Sequence, residues 1–308
     1  MHTVSGRSFF GFSLAMLTMV LWGLLPIALK DVLAVMDPLT ITFYRFSSAG
    51  VILAIWLAAR KGLPNVRQFR KPVSAVLLIA ALALSINYGT YLIGLDYLEP
   101  KSAQIIIQLA PFLLLIGSVI WFKEPFSKLQ SFGVVALLVG LLMFFNQRVG
   151  ELLGSFGTYT QGVLWIVFAA VMWAIYALLQ KQLLRHFTSV QLMMMINLFG
   201  GVCFFMLATP DQVLELNQWQ LLMLLFCCLN TVIAYGAFAE ALAHWEASKV
   251  SAVLAATPLV SIGVIDLLAW QWPEYYQSLH LNILALIGAV MVIIGSAVAA
   301  LGKPKNKT

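Results

Sequence analysis

The sequence predicts an all-α integral membrane protein with ten transmembrane helices, arranged as two inverted five-helix repeats. Three observations lead there: an apolar composition, ten apolar runs of spanning length, and an internal duplication with five runs in each half. Of the 308 residues, 62% are hydrophobic and only 10% are charged, and the mean hydropathy is +0.94. A soluble domain carries about 25% charged residues. Hydrocarbon rather than water must therefore solvate most of this chain.

A span needs about 20 mostly apolar residues. Such runs cover 9–30, 39–59, 73–95, 103–122 and 129–145, and then 161–179, 190–208, 221–241, 250–269 and 281–301. The first follows a short start and is long enough to span, so it reads as a helix rather than a cleavable signal peptide. Continuous apolar runs suit helices, since the strands of a membrane barrel alternate polar and apolar residues. The domains expected are a first repeat over 9–146, a polar periplasmic linker over 147–160, a second repeat over 161–301 and a basic cytoplasmic tail over 302–308.

Lysine and arginine set the orientation. One set of connections holds Arg7, Arg60, Lys61, Arg67, Arg70, Lys71, Lys123, Lys128, Lys181, Arg185, Lys249, Lys303, Lys305 and Lys307. The other holds only Lys30, Lys101 and Arg148. Both termini fall on the basic side and are expected in the cytoplasm. In a soluble protein the net charge of +6 would suggest nucleic acid; here its distribution reports topology.

The halves resemble each other. Gly11, Trp22, Lys30 and Gly50 recur as Gly162, Trp173, Lys181 and Gly201 at an offset of 151. Ile86, Tyr88, Gly89, Glu99 and Pro111 recur as Ile233, Tyr235, Gly236, Glu246 and Pro258 at an offset of 147, and Gly133 and Gly140 recur as Gly288 and Gly295. With five spans per half, the second copy enters the membrane from the opposite side. Inverted repeats offer a route to alternating access.

These residues also carry a family resemblance. The Trp22-Gly23 segment, the Tyr44-Arg45-Phe46 triplet, the Glu99 to Pro111 segment and the glycine-bearing fifth and tenth helices resemble the EamA family of the drug/metabolite transporter superfamily. The resemblance implies a secondary carrier of the bacterial inner membrane, often an exporter of amino acids or other metabolites.

Residues kept in both halves serve the shared fold, whereas polar residues present in one half need another reason. Gln104, Gln108 and Pro111 share a helical face, and the glutamines have Ser251 and Ala255 as repeat mates. Asn87, whose mate is Ala234, lies one turn from Tyr91. A buried amide needs partners, either neighbouring helices or a solute. The solute-site candidates are Trp22, Asn87, Tyr88, Tyr91, Gln104, Gln108, Trp173, Tyr176, Asn230 and Tyr235. Pro111 and Pro258 are candidate bends or hinges. Glu99 and Glu246 stand where a carboxylate would cap the fourth and ninth spans.

Arg45 is the only basic residue well inside a span, and its mate is Ile196. It is expected to be structural, snorkelling outward or pairing with Asp266. The other reading is that it binds a solute carboxylate.

Cys203, Cys227 and Cys228 sit in apolar runs and read as packing residues. The four histidines lie near loop ends, so no metal or other cofactor is expected. No phosphate-binding glycine loop or nucleophile elbow is present, which argues against an ATP-driven pump. The competing class is a membrane-embedded enzyme acting on lipid or isoprenoid. It would need acidic or histidine residues gathered at one face, whereas Glu240 and Asp266 fall near opposite faces. The expected partners are a small-molecule solute and the lipid bilayer, with no nucleic acid, and homodimer formation is left open.

Overall fold

The computed structural model describes residues 8–123, 126–148, 150, 156–245, 247–276 and 281–301. Among the described residues there are twelve α-helices and no strand. In order they are α1 (Ser8–Leu33), α2 (Pro38–Ala59), α3 (Lys71–Tyr97), α4 (Pro100–Ile106), α5 (Leu109–Phe122) and α6 (Lys128–Phe144). The second set is α7 (Thr158–Leu183), α8 (Ser189–Phe205), α9 (Gln218–His244), α10 (Ala247–Leu254), α11 (Thr257–Gln271) and α12 (Ile283–Leu301). The 302–308 tail, Glu246 and the 151–155 part of the linker lie outside the described residues.

Eight segments are long and apolar enough to cross a membrane, among them Pro100–Trp121, which contains α4 and most of α5, and Val250–Gln271, which contains α11 and part of α10. Helices α6 and α8 are apolar but have 17 residues each. At about 1.5 Å per residue, 17 residues extend about 26 Å, at the short end of the spanning range.

Local sequence explains where several helices start. Asp37 precedes Pro38 and accepts from the backbone N–H groups of Leu39 and Thr40. Ser127, Thr188 and Asn217 form reciprocal capping boxes with Gln130, Gln191 and Gln220. Glu99 corrects the capping expectation. It occupies the N-cap position of α4, but its side chain makes no cap bond there and instead lies 3.7 Å from Arg148.

The most extensive helix contacts are α6 with α12, α3 with α7, α1 with α9 and α2 with α8. Exchanging the first half for the second maps this set onto itself. The match reaches single residues. A Cβ on Gly11 would meet Trp245, and one on Gly162 would meet Leu98, which is the repeat mate of Trp245. Asn87 Nδ2 donates to Ala169 O at 2.8 Å, and Thr18 Oγ1 donates to Ala234 O at 3.3 Å. Asn87 and Ala234 are repeat mates, and so are Thr18 and Ala169.

Helices α6 and α12 meet backbone to backbone. A Cβ on Gly133 would sit 2.4 Å from Ala299 N, and one on Gly288 would sit 2.4 Å from Phe144 N. The glycines noted in the fifth and tenth runs are thus contact points that admit no side chain.

Candidate functional site

Two broken helices define the site. The turn at Ile107 and Gln108 separates α4 from α5, and the turn at Ala255 and Ala256 separates α10 from α11. Pro111 and Pro258 stand just beyond these turns. Each lacks an N–H, so the carbonyl four residues earlier loses its helical partner. For Pro258 that carbonyl belongs to Leu254, and Thr257 Oγ1 takes it at 2.6 Å. The two turns touch: Gln108 Nε2 donates to Ala255 O at 3.3 Å, and Ser296 Oγ donates to Gln108 Oε1 at 3.3 Å. The break also qualifies the sequence reading, because Gln104, Gln108 and Pro111 do not lie on one continuous helix. They line the same cavity nonetheless.

A third irregularity had no place in the sequence reading. Pro26 lies inside α1 and frees the carbonyl of Trp22, to which Gln104 Nε2 donates at 2.8 Å. Neighbouring carbonyls of α1 are also taken, Leu21 O by Asn230 Nδ2 at 2.7 Å and Gly23 O by Ser261 Oγ at 2.5 Å.

Between these elements lies a cavity of about 300 Å³. Of the ten solute-site candidates, Trp22, Asn87, Tyr88, Tyr91, Gln104, Gln108, Trp173 and Tyr235 line it. Trp22 and Tyr235 meet edge to face with centroids 5.2 Å apart. Two candidates lie elsewhere. Tyr176 is buried, with its hydroxyl directed to Met193 Sδ at 3.3 Å, and Asn230 spends its amide on α1. Pro258 does not line the cavity, although Pro111 does. The sequence reading missed Phe238, Thr257 and Ser296 as wall residues. Phe238 was within reach of it, being three positions from Tyr235 and so on the same face of α9.

Arg45 lines the cavity and is only 3% exposed. Its Nε donates to Thr231 Oγ1 at 3.2 Å, and its guanidinium lies 4.6 Å from the centroid of the Tyr88 ring. The expected partnership with Asp266 is not formed. Asp266 is ion-paired with Lys101 of α4, which is only 1% exposed. Arg45 points from α2 toward α9, and Lys101 starts the helix that lies beside α11, so Lys101 is the nearer cation.

The cavity wall continues through Leu114 of α5, Phe238 of α9, Ser251 of α10 and Ala300 of α12. These lie toward the end of the bundle where Gln191 Nε2 bonds Gly62 O at 2.7 Å and Gln68 Nε2 bonds His186 O at 2.7 Å. The opposite end is tied by polar contacts. Besides Lys101 with Asp266, Lys30 Nζ donates to Leu95 O at 2.9 Å and Asp96 O at 2.6 Å. Arg148 stacks 4.2 Å from the Tyr159 ring centroid. Asp31 accepts from Tyr276 Oη at 2.8 Å and from Trp219 Nε1 at 3.0 Å. Partial burial, with the Asp31 carboxylate, pushes the Tyr276 phenol up to about 12. A phenol held above its usual value of about 10 stays protonated, and keeps donating, until pH rises through that raised value.

No group of three or more His, Cys, Asp or Glu side chains placed to hold a metal occurs among the described residues. Arg45 is the one charged side chain among the described residues of the cavity wall.

Comparison with known proteins agrees with this architecture. The chain is 42% identical over 293 residues to YhbE of Escherichia coli K12, described as an uncharacterized inner membrane transporter, covering 95% of this chain and 91% of that one. It is 39% identical over 292 residues to an uncharacterized transporter of Haemophilus influenzae, covering 95% of each. A solved crystal structure shares the fold with a TM-score of 0.67 at 18% identity, covering 99% of both chains. The model of the EamA-like transporter family matches residues 9–146 and again 160–300. The chain is thus a multi-pass inner-membrane protein that belongs to the EamA-like transporter family.

Proposed function

We propose that this protein is a secondary carrier that exports a small metabolite, an amino acid or a related compound, by alternating access between two inverted five-helix repeats. The repeats are 9–146 and 161–301, each with five spans, and both termini lie in the cytoplasm. Helices α6 and α8 complete the ten spans, their 17 residues sufficing for a thin bilayer. Export is the direction that the family resemblance implies.

One observation carries the reading most: the cavity lies where the broken helix of one half touches the broken helix of the other, at Gln108 and Ala255. Carriers built from inverted repeats place their solute at such breaks, because exchanging the two conformations moves the opening around a fixed site. The reciprocal bonds of Asn87 and Thr18 support a twofold relation between the halves. The basic loops assign the end nearest Ser251 and Ala300 to the cytoplasm, so the end held by Lys101 with Asp266 is the outer one.

Flux in proteoliposomes tests the reading. Purified protein should move a labelled amino-acid-like solute down its own gradient or by exchange, without ATP. Flux that requires ATP hydrolysis by this chain, or no flux of any small solute, would sink it.

A further inference from the structure

We propose that Arg45 is the anion-recognition residue of the cavity, and that the solute it takes carries a single carboxylate. The inference rests on the reading of the cavity as the solute site and adds a chemical class to it.

A guanidinium carries a permanent charge and five N–H donors. Arg45 commits one of them, Nε, to Thr231 Oγ1. Among the described residues, its Nη groups meet no protein acceptor and no carboxylate lies within ion-pair distance. It is the eighth residue of α2, about 10 Å along the helix from its first residue. A charge at that depth costs several kcal/mol unless it is paired or reaches water, and the cation–π contact with Tyr88 offsets about 2 kcal/mol or more of that. Asp266, the carboxylate expected to compensate it, is ion-paired with Lys101. A solute carboxylate entering the cavity would supply the counter-charge that Arg45 lacks among the described residues.

The wall also selects the kind of anion. Arg45 is its one charged side chain among the described residues, so one carboxylate group balances it and a phosphate monoester brings surplus negative charge. The planar fork matches a carboxylate with two parallel hydrogen bonds. Two amides of the same wall have already spent a donor. Asn87 Nδ2 is spent on Ala169 O and Gln104 Nε2 on Trp22 O. Their oxygens are the atoms left to accept N–H donors from the same solute.

Purified full-length protein tests this with matched compounds. For alanine, leucine, phenylalanine and tryptophan, the free acid, the amide and the decarboxylated amine are compared, with chloride and inorganic phosphate as further arms. Ligand-induced change in Tm is read in detergent, and flux is read in proteoliposomes. At least one free acid should bind at least about tenfold more tightly than its own amide and amine. Arg45→Gln should abolish that difference, and Arg45→Lys should keep part of it. If Arg45→Gln does not fold, the wild-type comparison of acid with amide and the Lys variant decide the matter. Acids that bind no better than their amides, a panel in which no acid binds, or chloride or phosphate matching the best acid would each overturn the proposal. Discriminating binding without flux would support Arg45 while defeating the carrier reading. Flux equal for acid and amide would support the carrier reading and remove Arg45 from recognition.

Discussion

Gln108 Nε2 lies 3.3 Å from the carbonyl oxygen of Ala255, and these two residues occupy equivalent positions in the two halves of the chain. The bond joins one helix break to the other at the cavity wall, and Ser296 holds the glutamine oxygen from α12. Gln108→Leu would leave the Ala255 carbonyl and the Ser296 hydroxyl without this partner in a buried place. We expect a loss of about 1–3 kcal/mol, read by thermal unfolding in detergent. A variant as stable as the wild type would show that the two breaks are not joined there.

The Lys101–Asp266 pair has unequal partners, because Lys101 is 1% exposed while the Asp266 side chain is 48% exposed. Asp266→Asn removes a counter-charge from a buried ammonium. Lys101→Met leaves a carboxylate that is only half-buried. Asp266→Asn should therefore lower Tm and membrane abundance more than Lys101→Met, and the double variant should lose less than the sum of the two. The reverse order of the single variants would contradict this account of the pair.

The seam between α6 and α12 makes a steric prediction. A Cβ on Gly140 would lie 2.7 Å from both Gly288 O and Val292 N, and backbone atoms cannot move aside as a flexible side chain can. Gly140→Leu should cost about 1–3 kcal/mol or more. Gly236, where a Cβ would meet nothing within 4 Å, should accept alanine with little change in Tm.

Much of this architecture is legible in the sequence, for physical reasons. Membrane spans declare themselves because hydrocarbon tolerates so few polar residues. Asn87, Gln104 and Gln108 stand out because their repeat mates are smaller, which marks them as more than shared scaffold. Tyr176 and Asn230 lie off the cavity wall, because an amide or phenol whose donor is taken by the next helix reads in sequence just like one that faces a cavity. The partner of Asp266 could not be read because helix adjacency decides between Arg45 and Lys101. Lys101, near the start of its run, passes for a residue at the membrane boundary although it is buried. The carbonyl freed by Pro26 needed coordinates, since its acceptor role depends on where Gln104 comes to rest.

Alternating access, as proposed, requires the outer end, where Lys101 pairs with Asp266, to open as the inner end closes. The most direct measurement replaces Lys101 and Asp266 together with cysteine, in a background where Cys203, Cys227 and Cys228 are alanine. A short reducible bifunctional reagent then clamps α4 to α11, and flux is measured before and after. We expect clamping to bring flux down to that of empty liposomes and reduction to restore it, while single-cysteine proteins treated alike keep their activity. Clamped protein that carries solute at the unclamped rate would contradict alternating access through this end.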